Sequence, residues 1–169
     1  MPLYELEEGT SRKFYLALIA KAPCRHALRH VEVLWSPDRQ HTSLDTNALA
    51  AITKLTSLKI RSPTSVLQGS ATLATLRDLT VAVATRDTLA SWCAQTFPAL
   101  QRLVLRFEDR SPAGLVDELA PLLDGKMTPA LERLHVIVKS RETTDALTAA
   151  TNDCALRPRL RELIISPWD

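Results

Sequence analysis

The chain has 169 residues, 46% hydrophobic and 24% charged, and its 21 basic and 19 acidic side chains leave a net charge of +2. That composition fits one soluble globular domain with its own core, and the charges are too balanced to select nucleic acid or an anionic membrane as partner. The longest clean apolar run, Phe14 to Ala20, is too short to span a bilayer, and Glu5, Glu7 and Glu8 argue against a secretory leader, so cytosol or nucleus is expected.

Residues 1–10 are polar. Ser11 to Ala22 read as a helix with Phe14, Leu18 and Ile19 on one side, ended by Pro23. The segment 1–27 is expected to cap the open edge of the first strand, Leu28 to Trp35. Ser43 is an expected N-cap for a helix over 44–54, with Leu44, Ala48, Ala51, Ile52 and Leu55 on one face. Residues 64–73 contain Gly69 and predict one or two helical turns. Thr85 caps a helix over 86–96 that buries Leu89, Trp92 and Cys93. Ser111-Pro112 opens the next, a cap followed by proline at the first helical position, with Leu115, Val116, Leu119, Leu122 and Leu123 on one stripe and Gly125 as the stop. Thr143 or Thr144 starts the last helix, carrying Ala146, Leu147, Ala150 and Cys154, and Leu160 to Ile165 is the last strand.

A single figure recurs between these helices. It is clearest at Leu100-Gln101-Arg102-Leu103-Val104-Leu105-Arg106-Phe107: a leucine, a gap of two, then strict alternation. Alternation marks a strand with one buried face. First leucines stand at 28, 55, 76, 100, 131 and 160, spaced by 27, 21, 24, 31 and 29 residues. The strand–helix–strand order predicts a parallel sheet with right-handed crossovers.

This L-x-x-L-x-L figure resembles a leucine-rich repeat in an irregular form. Regular repeats place Asn or Cys three residues beyond the last leucine; here Ser36, Pro63, Ala84, Glu108, Lys139 and Trp168 stand there. The chain is thus nearer the degenerate repeats of ribonuclease-inhibitor-like proteins and resembles the repeat tail of fungal F-box proteins. The resemblance covers about residues 28–165. It implies an α/β solenoid over 28–169, with a parallel sheet of about six strands on the concave face and helices on the convex face. By function it implies a non-catalytic protein-interaction module, possessing the recognition part of an F-box protein. Residues 1–27 hold one expected helix and no L-P-x-E start, so no F-box is present in them.

The alternation divides the strands into inward residues (Val31, Val33; Leu58, Ile60; Leu79, Val81, Val83; Leu103, Leu105, Phe107; Leu134, Val136, Val138; Leu163, Ile165) and residues facing the open side. The expected partner-binding face carries Lys59, Arg61, Arg102, Val104, Arg106, Arg133, His135 and Ile137, a mix suited to an acidic or phosphorylated protein segment over an apolar floor. The last strand, Leu160 to Ile165, has no later helix to cover it; it is either a self-association surface or the place where a longer parent protein was cut.

Chemistry-bearing motifs are few. Glycines stand only at 9, 69, 114 and 125, so neither a dinucleotide fingerprint nor a phosphate loop can be assembled, and no G-x-S-x-G elbow occurs. Cys24, His26 and His30 have a metal-like spacing only on a helix, which Pro23 breaks; no cofactor and no metal is expected. Cys24, Cys93 and Cys154 read as separate reduced thiols. Ser-Pro pairs at 36–37, 62–63, 111–112 and 166–167 fall where strands should end, which capping and termination explain. The competing reading is a small doubly wound α/β enzyme, in which helices cover both faces of the sheet.

Overall fold

The computed structural model describes residues 26–33, 43–69, 71–107, 112–152 and 154–167; the expected helix over 11–22, Cys24, Leu34, Trp35, the pair at 36–37 and Ser111 lie outside them. In chain order the elements are β1 (His30–Val33), β2 (Ser43–Asp45), α1 (Thr46–Ala50), β3 (Ser57–Ile60), β4 (Val66–Gln68), β5 (Asp78–Val83), α2 (Arg86–Cys93), β6 (Arg102–Phe107), α3 (Pro112–Leu123), β7 (Arg133–Val138), α4 (Arg141–Asn152), a 3₁₀ turn (Arg157–Arg159) and β8 (Glu162–Pro167).

Each copy of the leucine figure becomes one strand of a 6-stranded parallel sheet, ordered β1-β3-β5-β6-β7-β8. The order follows the chain without reversal. The cause lies in a turn that is repeated from copy to copy. The leading leucine's N–H bonds the carbonyl three residues back, Leu55 to Ile52, Leu76 to Leu73, Leu100 to Phe97, Leu131 to Thr128 and Leu160 to Arg157, at 2.9–3.3 Å. The carbonyl just after each leucine then accepts two N–H groups from the next copy. Arg29 takes Thr56 and Ser57, Thr56 takes Arg77 and Asp78, and Arg77 takes Gln101 and Arg102. Gln101 takes Glu132 and Arg133, and Glu132 takes Arg161 and Glu162. The buried leucine side chain anchors the turn, and the shared carbonyl fixes the register of the strand that follows.

The inward residues of β3, β5, β6 and β7 are all buried, whereas Val31, Val33, Leu163 and Ile165 of β1 and β8 pack against the same core half-buried. They join Leu89, Trp92, Leu115, Leu119, Leu122 and Leu147 from the helices in one core. Burying a leucine of this kind stabilises by roughly 1.5–3 kcal/mol. Helix α2 is capped by Thr85, whose hydroxyl accepts the Thr88 N–H at 3.1 Å, and α3 has Pro112 as its first residue; both agree with expectation.

Several boundaries differ. Residues 44–54 do not form one helix capped by Ser43. Ser43–Asp45 is a strand, and α1 is five residues long with Asp45 as cap, its carboxylate accepting the Asn47 N–H at 2.9 Å. The described residues of 64–73 form no helix; they contain β4, paired in parallel with β2 through Ser43–Val66, Leu44–Leu67 and Asp45–Gln68. Each of these short strands gains its state from the other, a pairing that no local periodicity reports. Gly69, at φ +102°, ends β4. The layer behind the main sheet is therefore a strand pair followed by α2, α3 and α4, where helices alone were expected.

Helix α2 stops at Cys93 rather than reaching 96, capped by the Ala94 N–H. The last helix begins at Arg141, not at Thr143 or Thr144, because the Ser140 hydroxyl accepts the Thr143 N–H at 3.0 Å. The first strand is His30–Val33, with half-buried Leu28 ahead of it. The last is shifted to Glu162–Pro167, so Ser166 and Pro167 are inside the strand and do not terminate it.

Candidate binding face of the sheet

The face opposite the core is built by register. Its first row, the second residue after each leading leucine, is His30, Ser57, Asp78, Arg102, Arg133, Glu162. Two residues on, the second row is Glu32, Lys59, Thr80, Val104, His135, Ile164. The third contains Ala82, Arg106, Ile137 and Ser166, and Arg61 follows β3 at the same level. All eight expected site residues share this face. Arg61, Arg102, Arg106 and Arg133 are exposed, while Lys59, Val104, His135 and Ile137 are half-buried between neighbours. Ala82, too short to rise above its neighbours, is buried here.

The cations are not a bare basic patch. Glu32 receives Lys59 at 3.4 Å and pairs with Arg61 as well. Arg102 Nε lies 2.7 Å from Asp78 Oδ1, and Arg133 Nε lies 3.7 Å from Glu162 Oε2. Arg106 is also partnered. The acidic members Glu32, Asp78 and Glu162 are the residues that a search for basic character passes over. Their signal was present in the phase, since Asp78 and Glu162 occupy the same repeat position as Arg102 and Arg133. Charge thus concentrates at the strand starts. Apolar character concentrates across β6–β8 in Val104, Ile137 and Ile164, the last 40% exposed.

His135 Nε2 is 3.0 Å from Ser166 Oγ, and among the described residues no carboxylate bonds its other nitrogen. Among the described residues this pair therefore lacks the orienting third member of a nucleophile triad. On the opposite side, a shallow cleft of about 300 Å³ is lined by Leu49, Ala50, Leu55, Leu73 and Leu76 with threonines between them, and among the described residues no ionisable side chain lines it. Burial, with a smaller push from Glu118, raises the Cys93 thiol to about 11. Such a thiol is poorly nucleophilic at neutral pH. Among the described residues no three His, Cys, Asp or Glu side chains gather where they could hold a metal, and no helix is long and apolar enough to cross a membrane. His26, one of the spaced metal-type residues, instead lies 3.3 Å from Thr53 Oγ1.

No protein-family model matches the chain, and neither the curated proteins nor the solved structures include a significant match to it.

Proposed function

We propose that the chain is an irregular leucine-rich-repeat-like solenoid of the cytosol or nucleus, concave on its open sheet face, and that this face binds a protein segment without catalysing a reaction. The observation that carries the reading is a sheet face that no described element covers: parallel strands in chain order, with side chains of mixed charge and aliphatic character arrayed in register. Solenoids bind through such faces because they are rigid and extended. The copy-to-copy turn supports a repeat architecture, because among the described residues it joins each copy to its immediate neighbours in the chain. A doubly wound enzyme would place its site where the strand order reverses, and this order does not reverse among the described residues.

The partner suited to the face is a segment with a carboxylate beside aliphatic side chains. Arg102 and Arg133 are register neighbours with Val104 and His135 one row on, and Ile137 beyond. Their existing pairs with Asp78 and Glu162 are solvent-exposed, and exposed pairs contribute about 0–1 kcal/mol. A partner's carboxylate can therefore replace them at small cost. The resemblance to F-box tails assigns the same role, recognition of a protein to be acted on elsewhere.

The test is capture from lysate by wild type, by Arg102→Ser/Arg133→Ser, by Val104→Asp/Ile137→Asp, and by Arg141→Glu on the helix side, all checked for folding by circular dichroism. A protein held by wild type and Arg141→Glu but lost from both face variants is expected. Equal capture by all four would remove the face from consideration.

A further inference from the structure

Among the described residues nothing pairs with the outer edge of β8, which presents apolar side chains on both sides of the strand. On the core side, Leu163 and Ile165 are only half-buried, whereas their register partners Leu134 and Val136 are each 1% exposed. On the open side stands Ile164. In a parallel ladder, alternate residues direct both backbone groups to the same neighbour. The Glu162 N–H bonds the Glu132 carbonyl, so Glu162, Ile164 and Ser166 face β7, while Leu163, Ile165 and Pro167 direct theirs outward. Pro167, which has no N–H, thus sits where its absence breaks no ladder bond. The opposite edge differs in kind: β1 turns the backbone of His30 and Glu32 outward, and those side chains are polar.

We propose that β8 pairs antiparallel with β8 of a second copy of this chain, about a two-fold axis at Ile164. Only residues with outward backbone can form the hydrogen-bonded pairs of an antiparallel ladder. The axis must therefore pass through a residue, and the choice at Ile164 matches each position from Glu162 to Ser166, while Pro167 comes opposite Arg161, whose N–H is already given to the Glu132 carbonyl. Leu163 exchanges both bonds with Ile165 of the second copy, and Ile165 with its Leu163. On the open face Ile164 meets Ile164, and Glu162 meets a serine hydroxyl, Ser166. No like charges oppose each other. An axis at Leu163 would set Glu162 against Ile164, and one at Ile165 would place Leu163 opposite Pro167, which cannot donate. The strand is self-complementary in the way an isologous interface requires. A second copy also removes an exposed edge that otherwise templates aggregation.

Sedimentation over a concentration series is expected to show a monomer–dimer equilibrium in wild type. Ile164→Lys, at an exposed position, is expected to weaken it at least about tenfold while the far-ultraviolet spectrum stays unchanged. Ile165→Pro removes an outward N–H without touching the β7 ladder and is expected to weaken it similarly. The register is read by cross-linking. Facing residues in a non-hydrogen-bonded pair have Cα atoms about 4.5 Å apart, within disulfide range. Ile164→Cys should therefore give an oxidised dimer whose bridge maps to position 164, and Glu162→Cys should not unless combined with Ser166→Cys. A wild type that stays monomeric at every concentration, a dimer that survives both Ile164→Lys and Ile165→Pro, or a bridge that forms with Glu162→Cys alone would overturn the proposal.

Discussion

At the scale of single residues, two glycines carry different weights. Gly69 has φ +102°, and a Cβ there would come within 2.6 Å of Thr46 Oγ1. That hydroxyl is committed: it donates to the Gln68 carbonyl at 3.1 Å and accepts the Ala71 N–H at 3.2 Å, tying α1 to the end of β4. Gly69→Ala therefore combines backbone strain with a broken clasp and is expected to cost about 2–3 kcal/mol, read as a lower urea midpoint. Gly125, at φ +74°, would meet only the ends of Arg159 and Leu156 at 3.3 Å, so Gly125→Ala should cost about 1–2 kcal/mol. The Cys93 thiol adds a pH signature. Its folded pKa is raised from 9.0 to about 11, so the folded state holds a proton that the unfolded chain releases first. Its contribution is complete below 9.0 and disappears as pH rises to about 11. Wild type should lose stability across that window more steeply than Cys93→Ala, as followed by denaturant midpoints at successive pH values.

At the scale of elements, the strand pair β2–β4 depends on α2. The Leu67 N–H on the β4 edge bonds Ser91 Oγ at 3.1 Å, and Trp92 Nε1 donates to the Ser65 carbonyl at 3.2 Å. Ser91→Ala leaves the Leu67 N–H without its partner at a part-buried site and is expected to cost about 1–2 kcal/mol. Trp92→Phe should cost a similar amount through Ser65, and the two should be less than additive because both substitutions loosen the same contact between α2 and β4. This dependence also explains what could be read in the sequence. The leucine phase foretold all strands of the main sheet, its inward residues and the face on which Lys59, Arg61, Arg102, Arg106 and Arg133 stand, because period-2 burial is written locally. Around β2, Leu44, Ile52 and Leu55 also satisfy helical spacing, and around β4 the segment 64–73 is short and contains Gly69, so only the pairing of the two strands decides their state. On the face, Arg102 and Arg133 were visible, but their neutralisation by Asp78 and Glu162 requires the register between strands, which a single copy of the figure does not contain.

At the scale of the molecule, a chain-order sheet joined by shared carbonyls should distribute stability unevenly. Among the described residues strands β3, β5, β6 and β7 have neighbours on both sides, whereas β1 and β8 have one each. Leu100, 0% exposed in the middle of the sheet, should cost about 2–5 kcal/mol when truncated to alanine, and half-buried Leu28 markedly less. Native-state hydrogen exchange should accordingly show the slowest amides in β5–β7 and faster ones at the two edges. Within β8 the alternation makes a sharper forecast. Amides of Ile164 and Ser166 face β7 and should be protected at every concentration, while those of Leu163 and Ile165 face outward and should exchange freely in a monomer. As the protein is concentrated, protection of Leu163 and Ile165 alone should rise, since these two N–H groups are the ones a second β8 takes up. A uniform change along the strand would indicate a change in general fraying, which opens both sets together, and would not indicate edge pairing.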